Sequence, residues 1–201
     1  MVVVDYGLGN LKSVGRALEE CGAEVTRSSD PETIGNASRL LLPGVGAFSE
    51  AMRRLAETGL DEAIRSAVKR KASLLGVCLG MQLLADEGDE GGTTRGLGLI
   101  PGRVSRMTPL QEADRMPHVG WNELAINNDS AILGGIPDGS DFYFVHSYQM
   151  VPKNANHIVA TTTYGSELVS VVQSESVCGL QFHPEKSQRF GLRILRNFIE
   201  N

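Results

Sequence analysis

The rhythm of apolar and polar positions changes halfway along the chain. Met1-Val2-Val3-Val4-Asp5 is a short β-rich run, followed by the turn Tyr6-Gly7-Leu8-Gly9-Asn10. Leu11, Val14, Leu18 and Cys21 then recur at helical spacing, which predicts a helix over Leu11–Cys21 that Gly22 stops. Ala23–Arg27 reads as the second strand, Asp30-Pro31-Glu32 as a helix start, and Arg39–Leu42 as a third strand ending at Pro43-Gly44-Val45-Gly46. Ser49 is placed to cap a helix carrying Met52 and Leu55, and another helix runs from Leu60 to Arg70. Ser73–Val77 predicts a buried strand, with Met81-Gln82-Leu83-Leu84-Ala85 in the first turns of the helix after it. Strands and helices interleaved in this way imply a parallel sheet covered on both faces.

Beyond that helix the texture is different. Gly88–Arg95 reads as a Gly/Asp/Thr loop, and β-like runs follow at Gly98–Met107, Asp141–Tyr148, Ile158–Tyr164, Leu168–Gln173 and Val177–Phe182. Turn residues such as Asn127-Asn128-Asp129 separate them, so this half predicts mixed or antiparallel sheet. A closing helix should bury a stripe of Leu192, Leu195 and Ile199. No repeat or linker divides the chain.

Composition narrows the picture further. The 201 residues suit one α/β domain with a full core, or at most two small ones. A net charge of −5 with no Lys/Arg-rich run argues against a nucleic-acid partner. No apolar stretch approaches the roughly 20 residues that span a bilayer, so no membrane role is expected. The first residues lack the basic region and apolar core of a signal peptide. Three cysteines, Cys21, Cys78 and Cys178, have no framework spacing, which fits free thiols in a reducing cytoplasm. No Cys or His pair has metal-ligand spacing, so no metal and no cofactor are expected.

The most informative stretch is Gly76-Val77-Cys78-Leu79-Gly80, at a strand-to-helix junction. A Gly-x-Cys-x-Gly there is the thiol form of a nucleophile elbow: the chain turns sharply and the apex side chain projects beyond the sheet edge. The Leu79 N–H then points where an oxyanion would form, and the helix start favours the thiolate. The other reading is a buried structural Cys beside packing glycines.

A thiol nucleophile needs a base and something to hold that base. His183-Pro184-Glu185 follows the last predicted strand, and sheet enzymes place their sites at carboxyl strand ends. Pro184 stiffens the turn, and Glu185 can accept from one ring nitrogen of His183, leaving the other for the thiol. The alternative is a surface His and a capping Glu ahead of the last helix. His118 and His146 read as structural, His157 as an exposed turn, and Cys21 and Cys178 as core thiols. Gly7-Leu8-Gly9 lacks the third glycine of a dinucleotide fingerprint, since Lys12 stands there, and a Rossmann cofactor site is rejected. Pro43-Gly44-Val45-Gly46 is a second oxyanion-hole candidate, because two glycines make its peptide planes easy to reorient.

Together these residues resemble the class I glutamine amidotransferases. The likeness extends over Asp5-Tyr6-Gly7-Leu8-Gly9-Asn10-Leu11, Pro43 to Gly46, Gly76 to Gln82, Gly96 to Gly102, Pro117 to Asn122, Tyr143 to Tyr148 and Gly179 to Ser187. The first segment, Gly120-Trp121-Asn122 and Tyr143-Phe144-Val145-His146 are similar to the histidine-pathway subfamily. Ser73, where many relatives have Pro, and Val119, where Met is common, are mild departures.

The resemblance implies an α/β, flavodoxin-like three-layer fold over residues 1–201, with a mixed, mainly parallel central sheet and a small antiparallel sheet. It implies Cys78 as nucleophile, His183 as acid/base and Glu185 as the carboxylate that orients it. Val45 and Leu79 would supply oxyanion N–H groups, and Gly46, Gln82, Ser147 and Tyr148 would hold glutamine. Asn10, Trp121, Tyr143 and Lys186 would face a (βα)8-barrel cyclase, the partner that takes the ammonia in a heterodimer. The Gly44-Val45 amide is expected to rest turned away and to flip when that partner binds its substrate. A paralogue serving another acceptor and a stand-alone Cys hydrolase stay open as alternatives.

Overall fold

The computed structural model of the protein describes residues 1–108 and 116–201. Strands and helices alternate from the start: β1 (Val2–Val4), α1 (Leu11–Glu20), β2 (Thr26–Ser28), α2 (Pro31–Asn36), β3 (Arg39–Leu42), α3 (Phe48–Glu57), α4 (Leu60–Lys69), β4 (Ser73–Val77) and α5 (Leu79–Leu83). Strands then dominate: β5 (Glu87–Gly88), β6 (Thr94–Arg95), β7 (Gly102–Arg106), β8 (His118–Ile126), β9 (Ser140–His146), β10 (Tyr148–Pro152), β11 (Ile158–Tyr164), β12 (Ser166–Ser174) and β13 (Val177–Leu180). Helix α6 (Gln188–Glu200) closes the chain.

The large sheet is mixed, in the order β2-β1-β3-β4-β13-β12-β11-β8-β9. Pairing is parallel from β2 to β13 and antiparallel from β13 to β9. Alternate residues of its parallel strands serve two separate cores. Leu40, Leu42 and Leu74 pack with Ile34, Leu55 and Ile64 of α2, α3 and α4. Val3, Leu41 and Leu75 pack with Leu18 of α1 and with Ile194 and Phe198 of α6. Helices on both faces of one sheet give the expected three layers, and burial on both sides explains the unbroken apolar runs of β3 and β4. Among the described residues no helix is long and apolar enough to cross a membrane.

The small sheet runs β10-β7-β5-β6. It is not purely antiparallel, because β5 and β7 pair parallel. Its edge hairpin, β5 with β6, lies where the composition predicts only a loop.

Other elements depart from the sequence expectation for physical reasons. Strand β2 is shorter and lies later than Ala23–Arg27, at the edge of the sheet, where among the described residues it pairs with β1 alone. Ser49 does not cap α3: Ala47 is the N-cap residue, and the Glu90 carboxylate accepts from Phe48 N at 2.7 Å. A cap supplied from 42 positions away leaves no local signal. Strand β8 has no counterpart in the predicted runs, since its exposed Trp121, Glu123 and Ala125 break the apolar pattern. The run Asp141–Tyr148 divides at Ser147, where the chain leaves the large sheet for the small one. On α6 the buried stripe is Ile194, Leu195 and Phe198, with Leu192 and Ile199 only half-buried.

Candidate active site

Three neighbouring parallel strands deliver the predicted chemistry to one edge of the sheet. Strand β3 ends at Leu42, opposite Gly76 of β4, and runs into Pro43-Gly44-Val45-Gly46. Strand β4 ends at Val77, opposite Leu180 of β13, and runs into Cys78. Strand β13 leads through Gln181 and Phe182 to His183. Carboxyl ends of adjacent parallel strands are where open α/β sheets bind their ligands.

At the elbow the strained residue is Cys78 itself, with φ 55° and ψ −112°. Its amide is held by Leu180 O at 2.7 Å. The flanking glycines provide space rather than unusual dihedrals. A Cβ on Gly80 would collide with the Leu42 carbonyl oxygen, and one on Gly76 would lie 2.6 Å from Gly80 O. A non-glycine residue held at positive φ costs of order 1–3 kcal/mol, which the packed surroundings must sustain. Helix α5 spans only Leu79–Leu83, so one turn of aligned peptides faces the thiol, and the expected helix-end contribution is correspondingly small.

His183 is buried and fixed from several sides. Its Nδ1 pairs with Glu185 Oε1 at 2.9 Å, and the Glu185 side chain is only 1% exposed. The His183 amide donates to Tyr143 O at 2.9 Å, while Ser187 Oγ donates to His183 O at 2.7 Å and accepts from Tyr143 N at 3.0 Å. Burial opposes charging the ring. Cys78 and Glu185 together outweigh it and push the His183 pKa up to about 9. Among the described residues its Nε2 has no hydrogen-bond partner, so we attribute the pull of Cys78 to charge at close range rather than to a formed bond.

Cys78 and His183 line one cleft of about 300 Å³. Val45, Gly46, Leu79, Gln82, Ser147 and Tyr148 line it too, so the structure brings every residue expected at the nucleophile, oxyanion and substrate positions to one place. Glu185 stands behind His183. The Gln82 amide donates to Tyr148 O at 3.0 Å and to Gln181 Oε1 at 3.0 Å. Gln181 Nε2 in turn lies 3.9 Å from Cys78 Sγ.

Gly44 is constrained as tightly as the elbow glycines. A Cβ there would strike Tyr6 Oη and sit 3.0 Å from Leu79 Cβ. Tyr6, whose pKa is raised first by burial and then by the charge of Cys78, donates to Pro43 O at 2.8 Å.

The lining also contains Glu90, which local sequence does not single out, and His146, which it reads as structural. Glu90 comes from the β5–β6 hairpin, and His146 comes from the end of β9. Glu90 lies in a polar run with no periodicity, and only its distant cap on Phe48 reveals why it is held there. Cys21 and Cys178 lie elsewhere: Cys21 Sγ donates to Leu192 O at 3.3 Å, and burial pushes the Cys178 thiol up to about 12. His157 is half-buried on the short Ala155–His157 turn rather than exposed.

Three of the four residues expected to face a partner form one surface cluster. Trp121 is 47% exposed and meets the Tyr143 ring edge-on at 6.0 Å, and Lys186 Nζ lies 5.4 Å from the same ring. Asn10 is exposed at the N-cap of α1, where its side chain accepts from Ser13 N at 3.3 Å. Helix α1 packs beside the Pro184–Lys186 turn.

An elbow thiol facing a carboxylate-held imidazole on a three-layer α/β sheet defines the arrangement of class I glutamine amidotransferases. The family model "Glutamine amidotransferase class-I" matches residues 2–201. The chain is 46% identical to imidazole glycerol phosphate synthase subunit HisH of Moorella thermoacetica, covering 100% of this chain and 94% of that protein. It is 47% identical to the HisH subunit of Geobacillus kaustophilus over 98% of this chain and 94% of that one. Among solved structures, PurLQS from Thermotoga maritima aligns with a TM-score of 0.73 at 21% identity, over 99% of this chain and 96% of that one. The glutaminase domain of Trypanosoma brucei CTPS, with bound acivicin, aligns at 0.65 and 18% identity, over 100% and 93%. The chain belongs to the class I glutamine amidotransferase family and, within it, to the glutaminase subunits of imidazole glycerol phosphate synthase.

Proposed function

We propose that residues 1–201 are one glutaminase domain that hydrolyses glutamine and passes the ammonia to a cyclase subunit in histidine biosynthesis. The observation that carries this reading is the shared cleft: an elbow thiol and a Glu-held imidazole, 105 positions apart (183 − 78), line the same 300 Å³ space.

The residues that line the cleft support a role for each in the reaction. The Cys78 thiolate attacks the side-chain amide carbon, and the oxyanion is met by the N–H groups of Val45 and Leu79. His183, protonated because its pKa is raised, gives its Nε2 proton to the departing nitrogen. Ammonia leaves and a γ-glutamyl thioester remains. Neutral His183 then takes a proton from water as that water attacks the thioester, and glutamate and the thiolate are released. Glu185 holds the ring in the required tautomer throughout. Gly46, Gln82, Ser147 and Tyr148 hold glutamine.

The partner is a (βα)8-barrel cyclase that docks on Asn10, Trp121, Tyr143 and Lys186 to form a heterodimer. There ammonia joins a lyase-type step that yields imidazole glycerol phosphate and AICAR. Transfer without release into water has a chemical rationale, since ammonia in neutral water mostly protonates and ammonium is not a nucleophile. The three free thiols, Cys21, Cys78 and Cys178, fit action in the reducing cytoplasm. Tyr143 supports a coupling of partner and chemistry, because its main chain is bonded both to His183 and to Ser187.

The test is glutamate release by the purified chain, alone and with the cyclase and its ligand. Strong dependence on the cyclase is the expected result. High activity alone would indicate a stand-alone hydrolase, and stimulation only by a different acceptor synthase would indicate a paralogue.

A further inference from the structure

Behind the cleft, two buried histidines stand directly opposite each other in the β8–β9 ladder, His118 against His146. His118 Nδ1 lies 3.1 Å from His146 Nε2, Asn122 Nδ2 lies 3.3 Å from His118 Nε2, and His146 Nδ1 lies 2.9 Å from Tyr148 O. The direction of every bond in this chain can be worked out from its two ends.

At the outer end the Asn122 amide is oriented by its own partners. Its Oδ1 accepts from Glu123 N at 2.9 Å and its Nδ2 donates to Thr163 O at 2.9 Å. The group facing His118 Nε2 is therefore an NH2, and Nε2 must accept. A neutral His118 then carries its proton on Nδ1 and donates to His146 Nε2. His146 is left with its proton on Nδ1, facing Tyr148 O. That carbonyl can only accept, so the inner end independently demands the same direction. An added proton on either ring would set N–H against N–H at one link. Burial, which holds both rings well below the ordinary histidine range, acts in the same sense. The His118 ring is also clamped between Phe144 and Tyr164, at centroid distances of 4.8 and 4.1 Å.

Tyr148 O is the acceptor that Gln82 shares, and Ser147 and Tyr148 form one wall of the cleft. We propose that Asn122, His118 and His146 form a one-way hydrogen-bond relay that sets the Ser147–Tyr148 wall, which makes His118 and His146 positioning residues for glutamine. The inference rests on the glutaminase reading given above. The backbone of this wall is held by Met107 N, which donates to Ser147 O at 3.0 Å, and by the pairing of Tyr148 with Arg106; among the described residues, Gln82 and His146 are the side chains that hold the Tyr148 carbonyl itself.

Two measurements test it. Nitrogen NMR of the unmodified chain at pH 7 should show both rings as neutral Nδ1–H tautomers, whereas an Nε2–H tautomer or an imidazolium on either ring overturns the relay. In the complex with the cyclase, H118F keeps the ring stack and loses both bonds. It should raise the glutamine KM about tenfold, the worth of one buried hydrogen bond, with alkylation of Cys78 by iodoacetamide unchanged. H118Q can accept and donate along the same line, and should stay within about threefold of the unmodified chain. A KM for H118F within about twofold of the parent overturns the positioning role. Should H118F fail to fold, the tautomers alone decide. Should the unmodified chain release no glutamate, the glutaminase reading fails while the tautomers still decide the relay.

Discussion

The Nδ1–H of His183 meets Glu185 Oε1 at 2.9 Å, and both side chains are almost completely buried. The pair fixes which nitrogen faces Cys78 and supports the positive form of the ring. Replacing Glu185 with Gln presents an amide that can donate, favouring the wrong tautomer. Glu185→Gln is expected to lower kcat by roughly two to four orders of magnitude, with the glutamine KM little changed. It should also move the basic limb of the kcat/KM profile below the pH of about 9 set by His183. Steady-state kinetics across that range checks both.

Stability should be greatest near neutrality because the histidines pull in opposite directions. The His183 pKa is raised from the ordinary 6.5 to about 9, so its contribution is complete below about 6.5 and is lost as pH climbs toward 9. His118 and His146 are lowered by burial from 6.5 to about 4, so theirs is complete above 6.5 and is lost as pH falls toward 4. Urea midpoints measured at about pH 5, 6.5 and 9 should peak at the middle value. A monotonic trend would contradict this assignment of charges.

Glu90 links the small sheet to the cleft by capping α3 while lining the pocket. Its carboxylate is suited to the α-ammonium of an amino-acid substrate. Glu90→Ala is expected to cost about 1 kcal/mol of stability from the lost cap, visible in a thermal melt. It should also raise the glutamine KM more than it lowers kcat.

Trp121 lies exposed beside Tyr143 and Lys186, and large aromatic side chains of this kind carry interface energy. Trp121→Ala should weaken cyclase binding by roughly 2 kcal/mol, about thirtyfold in Kd, while Cys78 alkylation in the isolated chain stays unchanged. Calorimetric titration with the cyclase measures the first, and a thiol reaction the second.

Much of this fold and site is legible in the sequence. Strands β3 and β4 are continuous apolar runs because both faces of the sheet are covered, and their bounds match the sequence pattern residue for residue. The elbow and His-Pro-Glu were readable because each is a local cluster of unusual residues. What was hidden is long-range. The cap on α3 comes from Glu90, the sheet crossing falls at Ser147 within one apolar run, and the one-sided strand β8 exposes its aromatic residue to solvent. His118 and His146 looked structural singly, since only the β8–β9 register sets them ring to ring.

The central claim is that the Cys78 sulfur carries the γ-glutamyl group. Mass spectrometry of the Cys78 peptide, quenched in acid during turnover of glutamine with the cyclase and its ligand, tests it directly. A γ-glutamyl adduct on Cys78, absent from Cys78→Ala along with all glutamate release, is the predicted result. Continued glutamate release by Cys78→Ala with no adduct on the unmodified chain would contradict it.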